Sequence, residues 1–285
     1  MSVGLIQERL NAYNCQSVQE EENAIREMAQ EVVLGGLSRA GFFKHAGFQG
    51  GTCLRIVYGM ERFSEDLDFV LIEKDENFDL SKYFGSLTEE LKAYGFEFST
   101  KDKKDISQTV QKQFVKDDSL VKLLHFRHFK PGRDTKSIRI KLEVATNPPR
   151  GSEFETKFHD FPFAYEIALQ DTKSLFASKS HALLCREYIK GRDWSDFLWY
   201  VSRKTKINYN LLSAAIDQQG PWRGKAVRVN KEWYLKEIEK KIKKIDLHAA
   251  RDEVKRFVRP KELKSLELWS TNFFLDRLKK LSEVL

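Results

Sequence analysis

Cysteine is scarce in this chain, and no apolar run is long enough to span a membrane. The 285 residues contain 3 cysteines, Cys15, Cys53 and Cys185, which lie far apart and form no CxxC pair. A disulfide framework or a structural zinc site is therefore not expected. No apolar stretch approaches the roughly 20 residues of a membrane-spanning helix, and residues 1–4 do not begin a signal-peptide core. We expect a cytoplasmic protein with no membrane partner.

Internal repeats, low-complexity tracts and coiled-coil heptads are also absent, which excludes solenoid and fibrous classes. Hydrophobic residues make up 41% and charged residues 32% of the chain, as is typical of a globular protein. The length allows one large domain or two ordinary ones. The net charge of +7 is compatible with a nucleotide or nucleic-acid partner but does not establish one.

Two neighbouring motifs carry the clearest chemistry: residues 50–55 read GGTCLR and residues 62–69 read RFSEDLDF. The run from Leu67 to Ile72 predicts a strand, and alternation along it places Asp66 and Asp68 on one face. Two close carboxylates repel each other unless a cation lies between them. Oxygen ligands suit Mg²⁺ (or Mn²⁺), which commonly also holds substrate phosphates. These two aspartates are therefore our predicted metal ligands.

The glycines upstream predict a phosphate-binding turn, because bare amide groups at the start of a helix bind phosphate. We expect that helix to run from Thr52 to Tyr58. Taken alone, the glycine pair could be a helix stop and the aspartates a solvated strand edge. The two motifs are close in sequence and their chemistries match, which favours metal-dependent phosphoryl or nucleotidyl transfer. The predicted nucleotide contacts are Gly50, Gly51, Thr52, Ser64 and Arg55, although Arg55 could instead pair with a nearby acid.

Together the motifs resemble the signature of the AbiEii/AbiGii toxin family of nucleotidyltransferases. The resemblance implies an α+β fold, in which a polymerase-β-like core of mixed sheet and flanking helices precedes a C-terminal helical domain. It implies an NTP substrate and an RNA acceptor, with the tRNA 3′ end as the leading candidate. It also implies the toxin of a type IV toxin–antitoxin or phage-defence pair, with a winged-helix antitoxin encoded nearby.

A third carboxylate is expected at a polymerase-β-like site, where it can bind metal and accept the proton of the attacking hydroxyl. Residues 137–144 alternate strictly, so Lys141 and Glu143 share a polar face. Glu143 meets Asp66 and Asp68 if the two strands are neighbours. Glu143 stands where an aspartate is common in the wider superfamily. The alternative is a Lys141–Glu143 charge pair on an exposed face.

The second half of the chain is predicted to be mainly helical. A linker at residues 147–152 suggests a catalytic domain over 1–160 and a helical domain over 161–285 that completes the nucleotide or RNA site. By resemblance, Lys179 contacts nucleotide phosphate and Asp193 completes the site, with Asp196 as a close second. Judged from the residues alone, Lys179 is a surface lysine and Asp193 a helix N-cap.

Other functions stay open at this stage. The same residues could form a nucleotide- or RNA-binding module without turnover, or a kinase-like enzyme that moves the γ-phosphate. The lysine-rich stretch 236–244 could follow an RNA backbone or be a solvated face. Residues 106–115 and 119–129 are predicted to form a hairpin.

Overall fold

The computed structural model describes residues 2–102, 119–128 and 137–285. The first strand of the predicted hairpin, 106–115, lies outside these residues. The chain divides into two compact units. The first contains residues 1–59, 63–148 and 155–169, and the second contains residues 60–62, 149–154 and 170–285. The domain boundary at residue 160 stays a prediction. Within the described ranges, no helix has the length and apolar character to cross a membrane.

Seven strands form one mixed sheet, in the order β3-β4-β5-β2-β1-β7-β6. β1 is antiparallel to β2 and parallel to β7, β2 is parallel to β5, and β4 is antiparallel to both β3 and β5. The mixed α+β architecture predicted from the sequence is therefore confirmed. The strands are β1 (Ala46–Gln49), β2 (Leu67–Leu71), β3 (Phe96–Asp102), β4 (Ser119–His128), β5 (Ser137–Ala145), β6 (Phe154–His159) and β7 (Tyr165–Gln170).

In the first unit, α2 (Val18–Arg39) begins at a capping side chain. Ser17 accepts a hydrogen bond from the Glu20 amide and so caps this helix. Between residues 23 and 37, every residue of α2 except Arg26 is buried, and Met28, Val32 and Leu37 are 0% exposed. Within the described residues of this unit, the helices are α1 (Ser2–Ala12), α2 (Val18–Arg39), α3 (Gly50–Ile56) and α4 (Phe84–Ala93).

The second unit is helical, as expected, and most of its helices begin at a capping side chain. Asp171, Asn208, Asn230, Asp246 and Ser270 each accept a hydrogen bond from an amide in the first turn of the helix that follows. The helices are α5 (Thr172–Cys185), α6 (Gly191–Ser202), α7 (Tyr209–Gln218), α8 (Lys231–Lys244), α9 (Leu247–Lys255), α10 (Leu263–Leu266) and α11 (Thr271–Ser282).

Helices α6 and α9 approach each other so closely that only glycine fits at position 191. A Cβ atom at Gly191 would lie 1.8 Å from the carbonyl oxygen of Ala250. We expect Gly191→Ala to destabilise the protein by at least about 1–3 kcal/mol, because overpacking forces the backbone apart. Gly85→Ala is the matched control, since nothing lies within 4 Å of its Cβ. Equal urea midpoints for the two variants would contradict this prediction.

Candidate active site

Strand β2 presents the predicted metal ligands on one face of the sheet. Leu67 and Phe69 are fully buried, whereas Asp66, directly before the strand, and Asp68 are half-buried. Asp68 is opposite Gln49 of β1 and Glu143 of β5 in the sheet register. Residues at matching positions of neighbouring strands share a face, about 4.8 Å apart along the hydrogen-bonding direction. The structure therefore brings Glu143 next to Asp68.

Helix α3 begins at Gly50, two residues before the predicted start, and its first turn is joined to the aspartates. The Thr52 side chain is fully buried, and its hydroxyl donates to the backbone carbonyl oxygen of Asp66. The sequence predicted that this hydroxyl could contact phosphate. Here it holds the backbone that carries Asp66, so its observed role is positional.

Gly50 lies against the carboxylate of Asp68. Its φ of +81° is in the left-handed region that favours glycine, and a Cβ atom there would lie 2.5 Å from Asp68 Oδ2. Both the backbone conformation and the space beside the carboxylate therefore require glycine. The first glycine of the motif shapes the carboxylate site directly, in addition to any contact that it makes with phosphate.

Gly50→Ala should therefore impair activity more than its backbone strain alone explains. We expect a loss of about 1–2 kcal/mol in stability from the positive φ, together with at least tenfold lower turnover as Asp68 is displaced. Gly59→Ala is a matched control, because Gly59 has a φ of +70° and nothing within 4 Å of its Cβ. Unfolding by urea and steady-state kinetics check both effects. A similar loss of turnover in both variants would assign the effect to strain.

Glu143 is paired with a lysine on its own strand. Lys141 Nζ lies 2.7 Å from Glu143 Oε2, and the two side chains are 20% and 17% exposed. Burial alone would lower the pKa of Lys141, but the charges of Glu143, Asp66 and Asp68 outweigh it and raise that pKa. The structure thus shows the Lys141–Glu143 pair of the alternative interpretation, on the same face as the aspartates.

The donor atoms fit a hard divalent cation, as judged by their chemistry. Asp66 and Asp68 offer carboxylate oxygens, and Gly50 leaves space beside Asp68 that a side chain would fill. Across the described ranges, no three His, Cys, Asp or Glu side chains converge as a ready-made metal cluster. Asp66 and Asp68 are thus the pair best suited to hold Mg²⁺ or Mn²⁺, while the pairing of Glu143 with Lys141 leaves its role as a ligand a prediction.

Two further residues predicted to contact the nucleotide, Arg55 and Ser64, form hydrogen bonds within the fold. Arg55 donates from Nε to Glu27 Oε2 at 2.6 Å and from Nη2 to Glu27 Oε1 at 3.1 Å. Arg55 thus pairs with an acid, which was one of its two predicted roles. Ser64 is half-buried, and its carbonyl oxygen accepts a hydrogen bond of 3.2 Å from Gln30.

Lys179 and Asp193 belong to the second unit, where they form a buried charge network. Lys179 Nζ lies 2.7 Å from Asp193 Oδ1 and 2.8 Å from Asp196 Oδ2, so it contacts both candidate aspartates. Arg186 donates to Asp193 Oδ2. Arg62 donates from Nε to Asp196 Oδ1 at 2.7 Å, and both partners of this pair are almost completely buried. Sequence reasoning gave no role to Arg62, although it is the first residue of the second motif.

The pKa values in this network follow the pairing. Burial favours the neutral form of Asp193, but the cations Lys179, Arg186 and Lys190 outweigh burial and hold the pKa of Asp193 well below its ordinary value. Burial likewise opposes the charge on Lys179, yet Asp193 and Asp196 raise its pKa. Both groups are therefore charged at neutral pH. Lys179 is 12% exposed, so it is not the surface lysine that the residues alone suggested. Asp193 is buried in the first turn of α6, whose N-cap is Lys190, so Asp193 is not the predicted N-cap.

Solved structures share the fold of this chain. A crystal structure from H. pylori, described as a candidate nucleotidyltransferase, matches with a TM-score of 0.51 and 16% identity over 91% of each chain. At that identity the likeness concerns the fold alone. JHP933 from Helicobacter pylori matches with a TM-score of 0.49 and 16% identity, over 93% of this chain and 90% of the other. No curated protein matches the sequence.

The family described as "Nucleotidyl transferase AbiEii toxin, Type IV TA system" matches residues 32–277. The chain belongs to this family and is a nucleotidyltransferase of the toxin–antitoxin class. The resemblance seen in the two motifs is thereby confirmed, and the match extends through most of the helical second unit. Enzymes of this family generally use an NTP and a divalent metal ion, and a toxin of such a system has an antitoxin partner.

Proposed function

We propose that this chain transfers a nucleoside monophosphate from an NTP to an RNA hydroxyl, with the tRNA 3′ end as the first candidate acceptor. It would act in the cytoplasm as a toxin of a phage-defence pair, restrained by a winged-helix antitoxin. The observation that carries the proposal is the pair Asp66 and Asp68 on one face, with Gly50 against Asp68 and Glu143 in register beside it. This arrangement supports metal-dependent transfer of a phosphoryl-linked group.

Asp66 and Asp68 would hold Mg²⁺ or Mn²⁺. When bound, the ion would neutralise part of the triphosphate charge and lower the pKa of the attacking hydroxyl. Thr52 fixes the backbone at Asp66, and Lys141 offsets part of the carboxylate charge. Glu143 is the candidate acceptor for the hydroxyl proton, because it is the third carboxylate on this face.

The remaining proposed contacts bind the nucleotide. The amides of Gly50 and Gly51, in the first turn of α3, are available for phosphate, and Ser64 adds a hydroxyl. Lys179 supplies a positive charge to phosphate, and its two aspartate partners keep its ammonium protonated and in one orientation. Asp193 therefore contributes by positioning Lys179.

Incubation with each of four labelled NTPs, Mg²⁺ and total tRNA tests the proposal. We expect label to be incorporated into RNA and pyrophosphate to be released with at least one NTP. The mass of the modified RNA distinguishes a nucleotide addition from a phosphate addition, which kinase-like transfer would give. Metal-dependent NTP binding without any product, on RNA of every class, would instead support a binding module.

A further inference from the structure

Residues 186–190, between α5 and α6, form a surface to which the proposed chemistry assigns no substrate contact. Helix α5 ends at Cys185, and Arg186 is extended, with ψ at 134°. Tyr188 is 55% exposed and Ile189 is 39% exposed. Among the described residues, seven large apolar side chains are exposed, and Tyr188 and Ile189 are the two of them that are adjacent in sequence.

The Tyr188 ring is backed by a cation that is itself held in place. The guanidinium carbon of Arg186 lies 5.0 Å from the centroid of the ring, within the range of a cation–π contact. Arg186 is in turn fixed by its ion pair with the buried Asp193. A ring supported in this way, with more than half of its surface exposed, is a suitable platform for stacking a base.

The charge network that holds Arg186 contains more cations than carboxylates, and Glu187 is the one acid within the segment itself. The network comprises four cations, Arg62, Lys179, Arg186 and Lys190, but two carboxylates, those of Asp193 and Asp196. Among the described residues, Lys190 has no hydrogen-bond or ion-pair partner for its ammonium. Burial lowers the pKa of Lys190, the charge of Asp193 raises it, and the cations Arg192, Lys179 and Arg186 lower it. A bound anion would favour the charged form of Lys190, as Asp193 does.

Helix α8 continues this positive charge beyond the segment. Lys241 Nζ donates to the Arg186 carbonyl oxygen at 3.4 Å, and it has no carboxylate partner in the parts of the chain that the structure describes. Lys190, at the end of the segment, and Lys241, bound to its first residue, provide two separate ammonium groups, which suit a polymer with one phosphodiester per base. A free NTP would instead require concentrated charge for its triphosphate.

We propose that residues 186–190 bind the single-stranded end of the acceptor RNA, with a base stacked on Tyr188 and the adjacent phosphodiester on Lys190. This inference rests on the proposed function, because it takes the acceptor to be RNA. It adds the place on this chain where the acceptor is held before transfer.

Fluorescence anisotropy with a labelled single-stranded RNA, measured on the full chain without NTP, tests the inference. Tyr188→Ala should weaken binding about 5- to 100-fold, whereas Tyr188→Phe, which keeps the ring, should stay within about twofold of wild type. Lys190→Met should weaken binding and reduce the slope of log affinity against log salt by about one. Leu268→Ala removes another exposed apolar side chain, 62% exposed, in the same unit and should bind like wild type.

Each result has a separate meaning. Wild-type affinity in both Tyr188→Ala and Lys190→Met, or no RNA binding by wild type, would overturn the inference. Displacement of the RNA by millimolar NTP that depends on Tyr188 would also overturn it, because the surface would then bind a free nucleotide. Label transfer to RNA with unchanged affinities would leave the proposed function intact and remove this site. RNA binding that depends on Tyr188, with no transfer to any RNA, would retain the site and remove the function.

Discussion

Asp68→Ala is expected to reduce nucleotidyl transfer by about a hundred- to thousandfold and to abolish growth arrest when the chain is expressed without its antitoxin. The variant loses a carboxylate that we propose as a metal ligand, and loss of such an electrostatic contact costs about 3–4 kcal/mol in the transition state. Asp66→Ala should behave alike. Both side chains are half-buried at the edge of the core, so the fold should survive.

The growth experiment needs a control that changes charge without touching the carboxylates. Lys243→Ala suits this purpose, because Lys243 is exposed on α8 and pairs with Glu239 at 2.5 Å. Wild type and Lys243→Ala should arrest growth, and both aspartate variants should restore it at equal soluble protein levels. Arrest that persists in Asp66→Ala and Asp68→Ala would assign the toxicity to binding or aggregation, and catalysis would be withdrawn as its cause.

Asp193→Asn should have the largest effect on stability. The substitution leaves the buried charges of Lys179 and Arg186 without their shared carboxylate, and breaking a buried pair from one side costs about 3–5 kcal/mol. Urea unfolding at neutral pH measures the loss. Asp276→Asn is the control, because Asp276 is 52% exposed and its pair with Lys280 is on the surface, where such pairs contribute at most about 1 kcal/mol.

Asp193 also predicts that the free energy of unfolding decreases at acid pH. The pKa of Asp193 is lower in the folded chain than its ordinary value of 3.8. A depressed pKa gives stability that is fully present above 3.8 and is lost as the pH falls below it. Wild type should therefore lose stability more steeply than Asp193→Asn below pH 3.8. Parallel acid limbs in the two proteins would contradict the assigned pKa shift.

The central strands were predictable because their sequences alternate. Alternation of side chains along each strand predicted that Asp68 and Glu143 each lie on a polar face. It could not predict that the two strands are neighbours, because strand pairing depends on tertiary structure. β7 was missed although Tyr165, Ile167 and Leu169 alternate and are buried. The predicted boundary at residue 160 had assigned this stretch to the helical domain.

The charge network was the least predictable part of the site. Lone lysines are usually exposed and aspartates often cap helices, so the residues alone placed Lys179 at the surface and Asp193 at an N-cap. They can be buried because they neutralise each other and because Arg186 also pairs with Asp193. The sequence does not show which cation lies near which carboxylate in the folded chain. The family resemblance supplied the importance of these residues, and the structure supplied their partners.

Arg62 sets the order in which the second unit can be completed during synthesis. It leaves the ribosome 134 residues before Asp196, the buried carboxylate that it pairs with. The helical unit can therefore be completed only when Arg62, synthesised much earlier, pairs with Asp196. By then the strands of the first unit have also been synthesised. A fragment that begins at residue 161 would lack Arg62 and leave Asp196 with a cation missing. A split toxin assembled from two separately expressed pieces would need to carry residues 60–62 with the helical piece.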